Sequence, residues 1–370
     1  MTDGSRRRKT PLSPTAGSSP TISRIHEGLV GARGLIGTPY LADPKLRSQY
    51  DREIAPRTGL ALEKVLREIF PDPIAAGCPR RVLDLGAGTG AAGIALRRYF
   101  QDRVQDRVQD RVQDRADGRM ELVSVDQVIA TGAVRPADVT DVPALSRIVA
   151  AAPTAGGGGR FDLVIAAHVL NELYLGEAEP GRAAHLAVLV ELWCRSLLGD
   201  PGTLILIEPA LRDTSRALLA VRDHLVAAGL NIVAPCFFRG PCPALTRERD
   251  WCHDSVPSAA PPVTQGKSPR RARPVDFSYL VIRTSGQSAA DSSLFRIVSD
   301  PMPEKGRLKL FACGIPGRHP VVRLDRHVSP ANDALDRLAR GDVARIVGTA
   351  PAQDGLRVLP DSTVTRLPTG

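Results

Sequence analysis

Four residues at alternate positions, Asp84, Gly86, Gly88 and Gly90, form the pattern Asp-x-Gly-x-Gly-x-Gly. The residues around Asp84 are apolar, as expected of a buried parallel strand. Glycine permits sharp backbone turns and the close approach of a ligand. The segment after Gly90 has helical composition, so the free N–H groups of a helix N-terminus would face the same point. The pattern therefore predicts a ligand-binding turn, where the Asp84 carboxylate can accept a hydrogen bond from an amine or hydroxyl.

Two cofactor classes fit this glycine turn. The glycines satisfy the dinucleotide fingerprint Gly-x-Gly-x-x-Gly/Ala in two registers. The full string resembles motif I of class I S-adenosylmethionine (SAM) methyltransferases more closely, in which the glycines approach the methionine and ribose portions of the cofactor. We therefore favour SAM, and a nucleotide-dependent oxidoreductase is the alternative.

Two later strands place further candidate residues at the same edge of the predicted sheet. The strand ending at Asp126 supplies an acid that can hold ribose hydroxyls or, alternatively, cap the next helix. The strand running into His168 is followed closely by Asn171 and Glu172. Because the carboxyl ends of strands face the ligand crevice in doubly wound sheets, these three residues are candidates for lining a methyl-transfer site. Each could equally serve in packing or at a helix start, and the sequence assigns no catalytic residue.

The order of strand and helix patterns predicts a doubly wound α/β domain, with a last strand that we expect to be antiparallel. Tandem copies of Gln-Asp-Arg-Val at residues 101–115 indicate an expanded insertion without an assigned function. We divide the chain into a disordered basic tail (1–22), a helical region (23–75), the α/β domain (76–285) and a β-rich C-terminal region (286–370).

Four cysteines fall within or after a proline-rich insertion at residues 236–275: Cys236, Cys242, Cys252 and Cys313. The insertion has little apolar content, and a metal or cluster would supply ordering free energy. Structural zinc sites often use a Cys-x-x-Cys pair, which is missing, so four widely spaced thiolates favour a 4Fe–4S cluster. Zinc on three cysteines and His253 is the alternative, and unrelated buried cysteines are a third interpretation. Cys78 and Cys194 are expected to be packing or surface residues.

The formal net charge of +9 favours an anionic partner, with nucleic acid first. An arginine-rich composition inherited from a biased genome explains the charge equally well. The basic run at residues 267–273 could contact phosphates or be a solvated loop. Since no apolar run approaches the roughly 20 residues of a membrane span, we expect no membrane association. The N-terminus lacks the apolar core of a secretory signal, and the cysteine content does not indicate a disulfide scaffold, so a reducing compartment is expected.

Several strings together resemble one family: Leu-Asp-Leu-Gly-Ala-Gly-Thr-Gly, Val-Leu-Asn-Glu-Leu, Ile-Glu-Pro, Ala-Pro-Cys, Gly-Pro-Cys-Pro, Asp-Trp-Cys-His and Phe-Ser-Tyr-Leu. They are similar to those of the methyltransferase-like assembly factor of the mitochondrial small ribosomal subunit (the Rsm-twenty-two type) and its bacterial relatives. The resemblance covers roughly residues 40–313. This chain departs from the family in its tetrapeptide repeat, in residues 237–239 and in its C-terminal tail.

The resemblance implies a class I SAM methyltransferase fold and a 4Fe–4S cluster on Cys236, Cys242, Cys252 and Cys313. It also implies a role in small-subunit assembly or translation through contact with ribosomal RNA, and leaves open whether methyl transfer is retained. We expect a monomer in a bacterial cytoplasm, or in the mitochondrial matrix if the source is eukaryotic. The alternative is an active SAM-dependent RNA or small-molecule methyltransferase with a structural zinc site.

Overall fold

The structure, a computed structural model, describes residues 24–72, 78–102, 120–151, 159–258, 273–286, 291–353 and 355–368. The predicted basic tail, nearly all of the Gln-Asp-Arg-Val repeat and most of the basic run at residues 267–273 lie outside the described residues.

The first sheet contains the apolar strand patterns of the α/β domain. Its strands are β1 (Arg81–Leu85), β2 (Glu121–Asp126), β3 (Val134–Pro136), β4 (Phe161–Ala167), β5 (Leu198–Pro209), β6 (Asn231–Ala234), β7 (Asp254–Val256) and β8 (Val275–Arg283). Their order is β3-β2-β1-β4-β5-β8-β6, and β7 pairs with β8. Strands β1 to β5 run parallel, whereas β8 is antiparallel to both β5 and β6. The prediction of an antiparallel last strand is thus confirmed.

Helices cover both faces of this sheet, because its strands carry apolar side chains on both faces. They are α1 (Arg24–Leu29), α2 (Pro44–Glu53), α3 (Ala55–Ile69), α4 (Ala91–Arg97), α5 (Val142–Ala151), α6 (Gly181–Leu197) and α7 (Arg212–Ala227). The core on one face comes from α5, α6 and α7, and includes the fully buried Trp193. The core on the other face comes from α3 and α4. The chain reverses its strand order between β1 and β4, and this switch point opens a crevice at the carboxyl ends of the strands.

The second sheet confirms a β-rich C-terminal region. It comprises β9 (Leu294–Ile297), β10 (Met302–Glu304), β11 (Arg307–Gly314), β12 (Gly317–Leu324), β13 (Val343–Val347), β14 (Ala350–Ala352), β15 (Gly355–Val358) and β16 (Thr363–Leu367). The order is β14-β15-β12-β11-β9-β13-β16, with β10 beside β11. The strands enclose an apolar core of their own. In the part of the chain that the structure describes, no helix is both long and apolar enough to cross a bilayer.

A buried ion pair joins the second sheet to helix α3. The Arg296 guanidinium on β9 pairs with the Glu68 carboxylate and donates to the Gly341 carbonyl at 2.6 Å. Tyr279 on β8 donates its hydroxyl to the same carboxylate at 2.7 Å. Arg296 is only 4% exposed, so its charge depends on Glu68 for compensation.

Replacing Arg296 with glutamine is expected to lower the free energy of unfolding by about 3–5 kcal/mol, because Glu68 would keep a buried charge without its cation. Urea denaturation followed by circular dichroism measures the change. The matched control is Arg337→Gln, which breaks a mostly exposed pair with Asp333 and should cost about 1 kcal/mol or less. Equal losses in the two variants would show that the Glu68–Arg296 pair does not hold the second sheet against helix α3.

Candidate functional sites

The glycine turn after β1 has the backbone shape that its sequence predicts. Gly86, Gly88 and Gly90 all have positive φ, at 67°, 53° and 89°. The Gly86 and Ala87 amides donate to the Val125 carbonyl at 2.9 and 3.0 Å, which fixes the turn against β2. A Cβ atom at Gly86 would lie 2.5 Å from the Val169 side chain. The turn therefore requires glycine at this position for both its dihedral angle and its space.

Asp126, at the end of β2, lies against the glycine turn. Its Oδ2 atom accepts from the Gly88 amide at 2.8 Å, and its Oδ1 atom accepts from the Val128 amide at 2.9 Å. A carboxylate has about four lone-pair sites, so both oxygens keep capacity for a ligand hydroxyl. The structure thus brings together the predicted residues of the glycine motif and the acid of β2, and the role of Asp126 in cofactor binding stays a prediction.

Asp84 is the polar exception in strand β1. It is 1% exposed, and its Oδ2 atom has no hydrogen-bond partner among the described residues. Burial, with a smaller effect of the Asp126 charge, raises the pKa of Asp84 to about 7, against a hydrogen bond from the Gly93 backbone that lowers it. A buried acceptor without a donor fits a site that binds a ligand bearing N–H or O–H groups.

His168, Asn171 and Glu172 follow β4 at the same edge of the sheet. His168 has a left-handed φ of 62°, and its carbonyl accepts from the Asn171 side-chain amide at 2.7 Å. Burial and the Arg57 charge lower the pKa of His168 to about 4. Glu208, at the end of β5, accepts from the Leu170 and Asn171 amides at 2.8 and 3.2 Å, and burial raises its pKa to about 8.

Glu208 is not among the site residues predicted from the sequence. The available signal was an acid at the end of an otherwise apolar strand, where a carboxylate needs hydrogen-bond donors to be tolerated. Its contacts with backbone amides after β4 fix the turn that carries His168 and Asn171. Glu208 therefore shapes the crevice.

The N-terminal helical region covers this edge of the sheet. The Tyr40 hydroxyl donates to Glu172 at 3.3 Å, and the Arg33 guanidinium donates to the Asn171 side chain at 3.4 Å. Burial raises the pKa of Glu172 to about 7, partly offset by the hydrogen bond from Tyr40. A cavity of about 240 Å³ lies between these layers, with Tyr40, Tyr50, Arg57, His168, Asn171 and Glu172 among its lining residues. The sequence analysis assigned no site residue to this region, because its polar contacts join residues more than 130 positions apart.

The raised pKa values of Asp84, Glu172 and Glu208 each predict a contribution to the stability of the ligand-free protein that is lost as the pH rises, opposite in sign to the contribution of His168. For each of the three carboxyl groups the folded-state pKa lies above the unfolded value, so these groups bind more protons in the folded state between about pH 4 and pH 8, and their contribution to the free energy of unfolding falls with increasing pH. Asp84 alone accounts for at most about 4 kcal/mol of this fall. Chemical denaturation at pH 5 and pH 8 should show a flatter dependence for Asp84→Asn than for the wild type. Identical slopes would contradict the expectation.

The four candidate cysteines come from two parts of the fold. Cys236, Cys242 and Cys252 lie between β6 and β7, and Cys313 lies on β11. All four are free thiols. Burial raises the pKa of Cys313 to about 12, and the neighbouring Cys236 and Cys242 thiols add to this rise. Burial likewise raises the pKa of Cys252, and the other three thiols add to it. The structure therefore brings all four thiols into one neighbourhood.

These thiols do not form a ready-made site for a single ion. Among the described residues, no group of three or more His, Cys, Asp or Glu side chains is close enough to hold a metal ion. A cavity of about 20 Å³ is lined by Cys236 and Cys252, with Arg222 and Arg296 beside them. The remaining two cysteines take part in packing. Cys194 lies on the buried side of α6, and Cys78 lies at the edge of the core on the opposite face of the sheet.

Two features define the class I methyltransferase fold. Antiparallel β8 is inserted between β5 and β6, and the glycine turn after β1 lies beside an acid at the end of β2. The family profile of the mitochondrial small ribosomal subunit protein Rsm22 matches residues 49–327, and the chain belongs to this family. The match confirms the resemblance in the sequence motifs. A comparison with curated proteins gave no match.

Several solved methyltransferases share low similarity with the chain. The plantazolicin methyltransferase BamL, in complex with a triazolic desmethylPZN analog and SAH, is 15% identical with a TM-score of 0.29, over 48% of this chain and 56% of that chain. The plantazolicin methyltransferase BpumL is 12% identical with a TM-score of 0.32, over 67% and 93%. Precorrin-6y C5,15-methyltransferase from Geobacter metallireducens GS-15 is 12% identical with a TM-score of 0.30, over 59% and 87%.

The chain therefore spans little more than half of the BamL length. At these identities and TM-scores the likeness supports no inference about ligand or activity, and the fold class rests on the strand order.

Proposed function

We propose that this chain is a SAM-binding protein of methyltransferase fold that carries a 4Fe–4S cluster and assists small-subunit assembly or translation by binding ribosomal RNA. The observation that carries the proposal is the meeting of Cys313, from the second sheet, with three thiols from the insertion between β6 and β7. A methyltransferase fold does not need this second sheet for its cofactor turn. The match to the family of the mitochondrial small ribosomal subunit protein Rsm22 supports the ribosomal part of the proposal.

The residues of the glycine turn fit SAM. Gly86, Gly88 and Gly90 have the positive φ angles that let the turn backbone approach a cofactor closely, and Asp126 would accept from its ribose hydroxyls. The carboxyl groups of Asp84, Asp126 and Glu172 are all close enough to Tyr50 to raise its pKa, so three acidic groups are concentrated here. SAM carries a sulfonium and an ammonium group, whose positive charges this surrounding favours. When bound, SAM supplies an electrophilic methyl group, and His168 and Asn171 would line the approach of its acceptor.

The cysteine set fits a cluster better than it fits zinc. Thiolates are the ligands of 4Fe–4S clusters, and the four free thiols are neighbours without being close enough to bind one ion. A cluster of four irons and four sulfides holds its cysteine sulfurs farther apart than a single tetrahedral zinc does. Zinc bound by three cysteines and His253 is the alternative that the experiment below separates.

The charge of +9 supports an RNA partner, because each neutralised phosphate releases counterions and strengthens binding. We propose that the protein acts as a monomer, in a bacterial cytoplasm or, in a eukaryote, in the mitochondrial matrix. Binding to purified small subunits should weaken steeply as the salt concentration rises.

Anaerobic purification tests the proposal. We expect a brown protein with about four irons and four sulfides per chain, which binds SAM in calorimetry and co-sediments with small ribosomal subunits. A colourless protein with one zinc per chain would contradict the cluster and support zinc bound by three cysteines and His253. Stabilisation by NAD but not by SAM would indicate an oxidoreductase instead.

A second candidate function is methyl transfer to RNA or a small molecule, favoured by the cavity beyond β4, which His168, Asn171 and Glu172 help to line. Incubation with labelled SAM and small-subunit RNA separates the two. Tight SAM binding without transfer of label indicates a structural role for the cofactor, and stoichiometric labelling of RNA indicates an active enzyme.

A further inference from the structure

Helix α7 gathers the backbone of the cysteine insertion through two arginines. The Arg216 guanidinium donates to the carbonyls of Ala244, Arg247 and Asp250, at 3.2, 2.8 and 2.9 Å. These carbonyls lie between Cys242 and Cys252, so Arg216 ties the segment between the second and third cysteines to the helix. An arginine presents five N–H donors in a rigid fork, which suits it to several carbonyls at once.

Arg222, nearly two turns farther along α7, holds the segment between the first two cysteines. Its guanidinium donates to the carbonyls of Phe238 and Gly240, which lie between Cys236 and Cys242. It also pairs with Asp223 at 2.6 Å. The Asp223 carboxylate in turn accepts from the Cys242 amide at 2.8 and 3.0 Å. One Arg-Asp dipeptide therefore fixes the backbone between the first two cysteines and at the second.

Packing alone does not explain a cation in this place. Arg222 is 1% exposed. Its Nε atom is buried and has no acceptor among the described residues. A buried donor without a partner costs about 1–3 kcal/mol. Arg222 also lines the small cavity that Cys236 and Cys252 share. An unpaired N–H group beside two thiols indicates that an anionic, sulfur-bearing group belongs there.

We propose that Arg222 is a positioning residue for the cluster, holding the loop between Cys236 and Cys242 in its ligating shape and placing positive charge beside the thiolates. This role rests on the proposed 4Fe–4S cluster. A cluster bound by four thiolates is anionic and becomes more so when it accepts an electron. A nearby fixed cation therefore stabilises the reduced form and raises the reduction potential. Among the described residues, Arg239, Arg296 and Arg318 also place positive charge near these thiols. Arg296 and Arg318 pair with Glu68 and Asp250, as Arg222 pairs with Asp223.

Three variants of the full-length chain separate these effects. Arg222→Gln removes both the charge and the fork, and Arg222→Lys keeps the charge but loses the fork. Arg212→Gln is the control, since Arg212 lies on the same helix with its side chain 56% exposed. Each protein is purified anaerobically, its iron is counted, its rate of iron loss to a chelator is followed by absorbance, and its potential is measured by titration with dithionite as the electron donor.

We expect Arg222→Gln to lose iron at least about tenfold faster than the wild type, as is typical when an outer-shell partner of a metal site is removed. Its potential should be more negative. Arg222→Lys should lose iron faster but keep a potential near the wild-type value, and Arg212→Gln should match the wild type in both. Circular dichroism of the metal-free proteins shows whether each variant folds. If Arg222→Gln does not fold, the iron retention of Arg222→Lys alone tests whether the guanidinium hydrogen bonds are needed.

The outcomes distinguish this role from the function it rests on. A wild-type protein that binds no iron overturns the proposed cluster itself. A wild type with a full cluster, and glutamine and lysine variants with the same iron retention and potential, overturns the role of Arg222 and leaves the cluster in place.

Discussion

Serine in place of Cys313 is expected to remove nearly all iron from the anaerobically purified protein. A hydroxyl is a much weaker ligand for iron than a thiolate. A cluster held by only three of its four thiolates therefore loses its iron more easily. The same result is expected for Cys236, Cys242 and Cys252, measured as iron and sulfide per chain and as absorbance of the cluster. Among the four, Cys313 is the decisive position because it alone comes from the second sheet.

The matched control is Cys78→Ser, because Cys78 is a partly exposed thiol at the edge of the α3–α4 core, away from the cysteine insertion. This variant should keep its full iron content. Full iron in Cys313→Ser would show that a ligand outside the proposed set completes the site. Loss of iron in Cys78→Ser would show that the assay reports general instability instead of ligation.

Alanine in place of Asp126 is expected to weaken SAM binding at least about tenfold, since even one hydrogen bond to a charged acceptor is worth about 1.5–3 kcal/mol. The change removes the acceptor for the ribose hydroxyls and the contact that holds the Gly88 amide at 2.8 Å. Isothermal titration calorimetry with SAM measures the change in affinity.

Asp138→Ala is the control for this experiment. Asp138 is exposed, and its carboxylate accepts from the backbone amide two residues later, as that of Asp126 does. Both alanine variants therefore lose the same kind of local hydrogen bond. Its SAM affinity should equal that of the wild type. An Asp126→Ala protein with wild-type affinity would exclude β2 from the cofactor site, and a wild type that binds NAD in place of SAM would reassign the glycine turn.

The strands and the glycine turn could be predicted from the sequence because their signals are local. A buried parallel strand needs a continuous apolar run, and the turn after it needs glycine, since φ is positive at Gly86, Gly88 and Gly90. The acid at the end of β2 and the residues after β4 follow from the rule that parallel strands end at one edge. For these features, a few neighbouring residues carry the information.

The partners of the candidate site come from contacts that no local pattern encodes. Tyr40 reaches Glu172 across 132 positions, and Arg222 reaches Phe238 from a helix whose other signals are ordinary amphipathic packing. Such contacts depend on how helices are laid over the sheet. A polar side chain in a helix has the same appearance in sequence whether it faces water or a carbonyl.

The sequence alone thus determined the α/β order, the glycine motif and the family, and it predicted the four cysteines from their spacing and from the resemblance. Only the tertiary structure decided that Cys313 lies near the other three thiols, because its position is set by the pairing of β11 with β9 and β12 and by the Glu68–Arg296 contact between helix α3 and the second sheet. Strand register and sheet packing are summed over many weak contacts along the whole chain, and a spacing of 61 residues between Cys252 and Cys313 carries no trace of them.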